Sequence, residues 1–386
     1  MRPPDPYVGK EILSGQFRVL ERIGSGGMGA VYKAQQPSMD RFVAVKILHA
    51  KFTNRKDLVS RFRREARAMS HLTHPNTAKV FLYGQLDDGS CYIVMEHLEG
   101  KNLGQIVRAE GPMEPNRAIG ILLQACAALD EAHQKGIVHR DLKPENIFLC
   151  NQGGIRDYVK VLDFGLAKVT EREMRPGSMI LTQEGMVFGT PEFMSPEQAQ
   201  GKVLDARSDI YSLAIILYEL LTGKLPFDAR TPMEFVTLHV QATPMPIAQR
   251  APNRPFPQGL QPVLDRAMAK QPEARYQSAA EFANALKGVL SPQGYQNLVA
   301  SLPPGTLPVS QPPGALSPVQ NGAYRPAPGA EPNGPNPSSA QNGLARPGDG
   351  AVTAPPARRS SMVLLFVAVG IVIGATVAFL ALRVFG

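Results

Sequence analysis

Two short runs near the middle of the chain carry side chains suited to moving a charged group. The first is His139-Arg140-Asp141-Leu142-Lys143-Pro144-Glu145-Asn146. The second, Asp163-Phe164-Gly165, begins 17 residues after Asn146. Asn146 and Asp163 offer hard oxygen atoms of the kind that hold Mg²⁺ against phosphate oxygens. Asp141 can accept a proton from a hydroxyl or orient that hydroxyl as a nucleophile. Lys143 can neutralise charge on a phosphoryl group in transfer. Either run alone also reads as a helix cap or a loop. Together, in this order and at this spacing, they read as a site for phosphoryl chemistry.

A third run lies far upstream, Ile23-Gly24-Ser25-Gly26-Gly27-Met28-Gly29-Ala30-Val31. Glycines at 24, 26 and 29 let a backbone approach a phosphate and adopt positive φ. A dinucleotide-binding loop shares this spacing, but it should open a helix. Here Ala30–Ala34 reads as a strand, so the run reads as a hairpin lid. Fifteen residues after Val31 stands Lys46, in the strand-like Arg41–Leu48. Val43, Val45 and Ile47 face one way along that strand, and Ala44 and Lys46 face the other. A lysine on an inner strand face is costly unless paired. Asp57–Leu72 reads as a helix with Phe62, Ala66 and Met69 on one face, and it offers Glu65 as the partner. Phe17–Ile23 reads as a further strand, and helical patterns dominate from Pro115 onward. A small sheet-rich part therefore precedes a larger helical one.

Composition sets the frame for these runs. The chain has 386 residues, 44% of them hydrophobic, so it can build a large core and is not disordered throughout. Its three cysteines, Cys91, Cys126 and Cys150, form no CxxC pair and have no histidine at metal spacing. That argues against a zinc site and a disulfide framework, and for thiols kept reduced in a core. The net charge of +8 comes without a Lys/Arg run or interleaved aromatics, which argues against a nucleic-acid partner.

The C-terminal quarter is different in kind. Residues 291–357 hold 15 Pro and 9 Gly in 67 positions, too little apolar surface to offset the entropy of ordering. Such a coil spans roughly 40–50 Å. Residues 362–382, MVLLFVAVGIVIGATVAFLAL, are 21 positions without a formal charge. As a helix they measure about 31 Å, the thickness of a bilayer core. Arg358 and Arg359 precede this run and Arg383 follows it, which favours a cytoplasmic N-terminal bulk. Gly370 and Gly374 form a GxxxG, which suits a homodimer of such helices. The expected division is an N-terminal extension over 1–16, a globular domain over 17–290, a disordered linker over 291–361, a membrane helix over 362–382 and a tail over 383–386.

In combination the three runs and Lys46 resemble the protein kinase superfamily, specifically the membrane-anchored, eukaryotic-like Ser/Thr kinases of bacteria. The resemblance covers about Phe17 to Leu286. It implies an α+β, two-lobed protein kinase fold, with a small β-rich lobe and a larger helical lobe. It implies ATP and Mg²⁺ as cofactors and protein substrates as partners. On matching positions, Gly24, Gly26 and Gly29 would form the lid over the ATP phosphates, and Ile23 would belong to the same ATP-binding site. Val31 and Ala44 would lie on one face of the adenine and Phe148 on the other. Glu96 and Leu98 would form the hinge, with Met95 beside it. Lys46 would hold the α- and β-phosphates and pair with Glu65. Asp141 would be the catalytic base, and Asn146 and Asp163 would bind the metal. Lys143, and Thr190 in Gly189-Thr190-Pro191-Glu192, fit the serine/threonine version.

Two positions depart from the family pattern. Ser195 stands before Pro196-Glu197 where many kinases have Ala, and Tyr211 stands where many have Trp. Glu197 is expected to pair with Arg275. Ser178, Thr182 and Thr190 are the candidate phosphosites of the segment 163–197, with Thr182 first by position and Arg140 as the phosphate's expected partner. A membrane-tethered scaffold that binds nucleotide without turnover would lack part of the set Lys46, Asp141, Asn146 and Asp163. A small-molecule kinase of similar fold would not need the segment around Thr190.

Overall fold

The alternation in Arg41–Leu48 sets the two faces of the N-terminal sheet. The computed structural model describes residues 5–26, 29–48, 56–164 and 190–301. Six antiparallel strands run in the order β1-β2-β3-β4-β6-β5. They are β1 (Glu11–Ile12), β2 (Phe17–Ser25), β3 (Gly29–Gln36), β4 (Arg41–Leu48), β5 (Val80–Gln85) and β6 (Cys91–Glu96). Val43, Val45 and Ile47 join Phe17, Val19, Tyr32 and Val94 in a small core on one face. On the other face the register sets Val31 beside Lys46, Lys46 beside Ile93, and Ala44 beside Met95. Directly opposed residues share a face. Lys46 therefore stands in an apolar row on the side away from the small core.

Within residues 5–16, expected as an extension, Glu11–Ile12 form the edge strand of this sheet. Ile12 pairs with Phe17 across β1 and β2 and is itself buried. The Tyr7 hydroxyl donates to Asp88 Oδ2 at 2.8 Å, which ties the segment to the loop before β6. The sequence hides this because two-residue strands leave no alternating pattern.

Helix α1 (Lys56–Ser70) carries Phe62, Ala66 and Met69 into the larger core, the face expected of it. A second sheet, β7 (Gly100–Asn102), β8 (Ile147–Gln152) and β9 (Ile155–Val161), borders that core. The core is built mainly on two buried helices, α3 (Pro115–Gln134) and α5 (Ala206–Thr222). Asp205 caps α5 by accepting from the Arg207 N–H, and Gly223, in the left-handed conformation, ends it. Around them lie α2 (Leu103–Glu110), α4 (Pro196–Ala199), α6 (Pro232–Gln241), α7 (Ile247–Arg250), α8 (Leu260–Ala267) and α9 (Ala279–Gly288). All three cysteines are free and buried. The result is a two-lobed fold, strand-rich before Glu96 and helical after it.

Ordered structure continues past the expected domain end at 290. Helix α10 spans Pro292–Ser301, with the Gly294 N–H donating to Ser291 Oγ at its start and Tyr295 packed on the larger core. Proline at the first helical position costs nothing, because its missing N–H would have no helical partner there. Composition over a 67-residue window averages this turn of order away. Among the described residues no helix is long and apolar enough to cross a membrane. The run 362–382, with Gly370 and Gly374, lies outside the described residues, as do Gly165, Ser178 and Thr182.

Candidate active site

Lys46 and Asp163, 117 residues apart in sequence, meet with Nζ 2.8 Å from Oδ2. Strand β4 delivers the lysine, and the end of β9 delivers the aspartate. Burial raises the Asp163 carboxyl, but the charge and hydrogen bond of Lys46 outweigh it, with His139 and Lys143 adding to the effect. The net result lies below the usual carboxylate range. Asp163 also has φ of 55°, in the left-handed region that a residue with a side chain seldom enters.

The two motif runs are tied to each other by the residue before Asp163. The Leu162 N–H donates to the Asn146 carbonyl at 2.9 Å, and His139 Nε2 contacts the Leu162 carbonyl at 2.7 Å. His139 Nδ1 accepts from the Asp141 N–H at 3.4 Å, so Nε2 carries the ring proton. The His139 ring also lies 4.9 Å from that of Phe164, which is buried in the larger core.

Within the loop, Asn146 Nδ2 donates to the Asp141 carbonyl at 2.7 Å. That turns the amide carbonyl Oδ1 into the atom available to a cation. The Asp141 carboxylate takes Lys143 Nζ at 3.0 Å, and the same Nζ donates to Thr190 Oγ1 at 3.2 Å. Asp141, Lys143 and Thr190 thus form one cluster, and Lys46 and Asp163 form another. Asn146 touches the backbone of Asp141 and that of Leu162, the residue before Asp163.

Asp209 holds this loop in place, a role the sequence reading did not assign. It lies on α5, is 1% exposed, and accepts the backbone N–H of His139 at 2.8 Å and of Arg140 at 2.9 Å. His133 Nε2 on α3 lies 2.7 Å from the same carboxylate. Burial raises the Asp209 carboxyl, yet the His133 contact and the His139 N–H hold it below the ordinary value. The signal in sequence was an aspartate in the first turn of an apolar helix, beyond the capping Asp205, where a buried charge must find partners. Arg140 takes φ of 68° beside this anchor.

The residues expected around a nucleotide lie as follows. Gly29 packs against the Ile47 carbonyl so closely that a Cβ would clash, and Gly26 N–H donates to the Gly29 carbonyl at 2.9 Å. Gly29 is therefore required by strand packing. Gly26 has open space where a Cβ would sit, and Gly24 has ordinary contact with Val31. Ile23 is exposed at the rim, Ala44 is buried, and Val31, Leu98 and Phe148 are half-buried. The Glu65 side chain lies outside the described residues, so its pairing with Lys46 does too. The Glu96 carboxylate is engaged elsewhere. It takes the Lys79 N–H at 2.7 Å and the 2%-exposed Lys160 at 2.8 Å. The buried Lys160 on β9 was invisible in sequence, because its partner lies 64 residues away.

The oxygen set fits a hard divalent cation bound together with phosphate: one carboxylate, one amide carbonyl, no thiol or imidazole. Among the described residues there is no group of three or more His, Cys, Asp or Glu side chains that could hold a metal, so phosphate and water oxygens would complete the shell.

Behind the cluster, Glu197 and Arg275 form the expected pair, with Nη1 and Nη2 each 2.7 Å from a carboxylate oxygen. Chain comparisons agree with this geometry. Serine/threonine-protein kinase pkn3 of Myxococcus xanthus is 43% identical over 291 residues, covering 75% of this chain and 53% of that protein. Serine/threonine-protein kinase PrkC of Bacillus subtilis is 41% identical over 275 residues, covering 71% and 40%. The chain thus spans about half or less of these relatives. The crystal structure of the Mycobacterium tuberculosis PknI kinase domain superposes with a TM-score of 0.56 at 26% identity, covering 73% of this chain and 98% of that one. The protein kinase domain family matches residues 17–286, a stretch that runs from β2 to the end of the buried face of α9 and holds both motif runs. The chain belongs to that family.

Proposed function

We propose that the chain transfers the γ-phosphoryl group of ATP to serine and threonine hydroxyls of proteins. The observation that carries this reading is the approach of two clusters, Lys46 with Asp163 and Asp141 with Lys143 and Thr190, linked by Asn146, which bonds Asp141 and the Leu162 backbone next to Asp163. Lys46 holds the α- and β-phosphates. Asn146 and Asp163 hold the Mg²⁺, which neutralises phosphate charge when bound. Ile23, Gly24, Gly26 and Gly29 cover the phosphates; Val31, Ala44 and Phe148 enclose the adenine; the backbone at Glu96 and Leu98 meets its edge. Asp141 takes the hydroxyl proton as the acceptor oxygen bonds to the γ-phosphorus and the bond to the β–γ bridging oxygen breaks, releasing ADP. Lys143 offsets the charge on the moving group. Positioning and charge account for the catalysis. The relatives named as Ser/Thr kinases support this acceptor class.

Thr182 would be the phosphorylated residue, with Arg140 as the partner of its phosphate. In support, Arg140 Nε is buried with no hydrogen-bond partner among the described residues. The residues 362–382 anchor the chain to a membrane by one helix, with the kinase domain on the cytoplasmic side.

The test is incubation of the full chain with radiolabelled ATP and Mg²⁺, with and without casein. Label on serine and threonine of casein, abolished by EDTA, is expected, together with label on Thr182 of the chain itself. ATP hydrolysis with no labelled protein would sink the reading; label elsewhere but not on Thr182 would sink its regulatory part. Membrane attachment predicts that the full chain pellets with vesicles and that a chain ending at residue 361 does not. Equal partition of the two chains would refute it.

A further inference from the structure

Tyr211 replaces the tryptophan of many similar kinases, and its hydroxyl has a specific partner. On α5 this side chain is fully buried, and its hydroxyl lies 2.9 Å from Nδ1 of His239 on α6. His239 is itself fully buried, and its Nε2 lies 3.0 Å from the Glu192 carbonyl. A carbonyl can only accept, so Nε2 carries the proton and Nδ1 accepts from the tyrosine. Burial, the larger influence, lowers His239 to about 4, which agrees with a neutral ring. The Phe227 ring meets the imidazole edge-on at 5.0 Å, and Lys270 Nζ donates to the His239 carbonyl at 2.9 Å. Both ring nitrogens are thus engaged.

Its target is the segment that carries Thr190. Three contacts bracket residues 190–194. Lys143 Nζ donates to Thr190, His239 donates to the Glu192 carbonyl, and Ser212 Oγ donates to the Phe193 carbonyl at 2.7 Å. Lys143 also touches the Asp141 carboxylate, so a shift of Glu192 passes through Thr190 and Lys143 to the proton acceptor. Lys46 and Asp163 bond directly to each other, outside this chain of contacts.

We propose that His239, fixed by Tyr211, is a positioning residue that sets segment 190–194 against Asp141 and thereby docks the protein acceptor without touching the nucleotide. The proposal rests on the phosphoryl-transfer reading above. It assigns to a histidine on α6 a role in acceptor affinity, and it gives the Tyr211 hydroxyl its purpose.

The experiment compares the full wild-type chain with His239→Leu, His239→Gln and Tyr211→Phe. Myelin basic protein serves as the acceptor probe. Measured are its KM, the KM for ATP, ATP hydrolysis without acceptor, and the melting temperature. Leaving the Glu192 carbonyl without its donor should raise the acceptor KM by roughly tenfold in His239→Leu. The ATP KM should stay within about twofold. Glutamine places an amide N–H near the position of Nε2 and should restore most of the acceptor KM, a rescue that simple filling of space would not give. Tyr211→Phe, which deletes one oxygen, should raise the acceptor KM by about threefold and decides the matter if His239→Leu does not fold. An unchanged acceptor KM in folded variants, or a parallel rise in both KM values, overturns the proposal. Wild type that hydrolyses ATP yet labels no acceptor overturns the transfer reading itself, and the proposal with it.

Discussion

Asp141→Asn should lower the rate of transfer to a protein acceptor by about a thousandfold while leaving the melting temperature within a degree or so. Asparagine keeps the shape of the side chain. The backbone carbonyl of Asp141 still accepts from Asn146, and the N–H still donates to His139. What disappears is the atom that can receive a proton, together with the charge that draws Lys143 to 3.0 Å. General-base catalysis is worth about 10²–10⁴ in rate, and the loss of Lys143's anchor adds to it. Radiolabel transfer under saturating ATP and acceptor measures the effect. An Asp141→Asn chain that keeps more than a tenth of wild-type kcat would mean that the proton goes elsewhere. Asp209→Asn makes the useful contrast. It keeps the proton acceptor but weakens the hold on the His139 and Arg140 N–H groups. Its cost should fall on stability as well as on rate.

The residues proposed to touch the reacting groups could be named from sequence because each chemistry demands a particular atom at a particular spacing. Asp141, Asn146 and Asp163 cluster within a few turns of chain, and the alternation in β4 fixes the face on which Lys46 stands. The residues that hold these in place were harder to read. Asp209 and His239 act through hydrogen bonds that span 70 and 47 residues, between helices whose apolar patterns say only that they are buried. Lys160 shows the same limit. On a strand pattern it reads as a solvent-facing lysine, and only the fold brings it to Glu96. Elements too short to show periodicity, such as β1, are lost for a related reason. Their order comes from one neighbouring strand and a few side-chain contacts.

Arg275→Met should destabilise the folded chain by about 3–5 kcal/mol, enough to lower the melting temperature by roughly 10 °C. The guanidinium has five N–H donors and five acceptors: both Glu197 oxygens and the carbonyls of Arg207, Ala269 and Lys270. It is 0% exposed and its Cζ lies 4.9 Å from the Tyr211 ring centre. Removing it leaves Glu197 buried beside Ser208, with its charge uncompensated. Arg275→Lys should recover little, because an ammonium has three donors and cannot meet both carboxylate oxygens and the three carbonyls. The dependence on acidity gives a second reading of the same pair. Burial raises the Glu197 carboxyl, but Arg275 more than reverses this and holds it below the ordinary glutamate value of 4.5. A carboxyl depressed in the folded state contributes stability that is present above its unfolded value and is lost as pH falls through the folded one. Wild type should therefore lose the pair's contribution below about pH 4.5. Arg275→Met should regain stability as its buried carboxyl protonates. The gap between the two chains then narrows from both sides on acidification. A gap that stays constant from pH 7 to pH 4 would show that the cost of the substitution lies in lost packing around Tyr211 rather than in an unpaired charge.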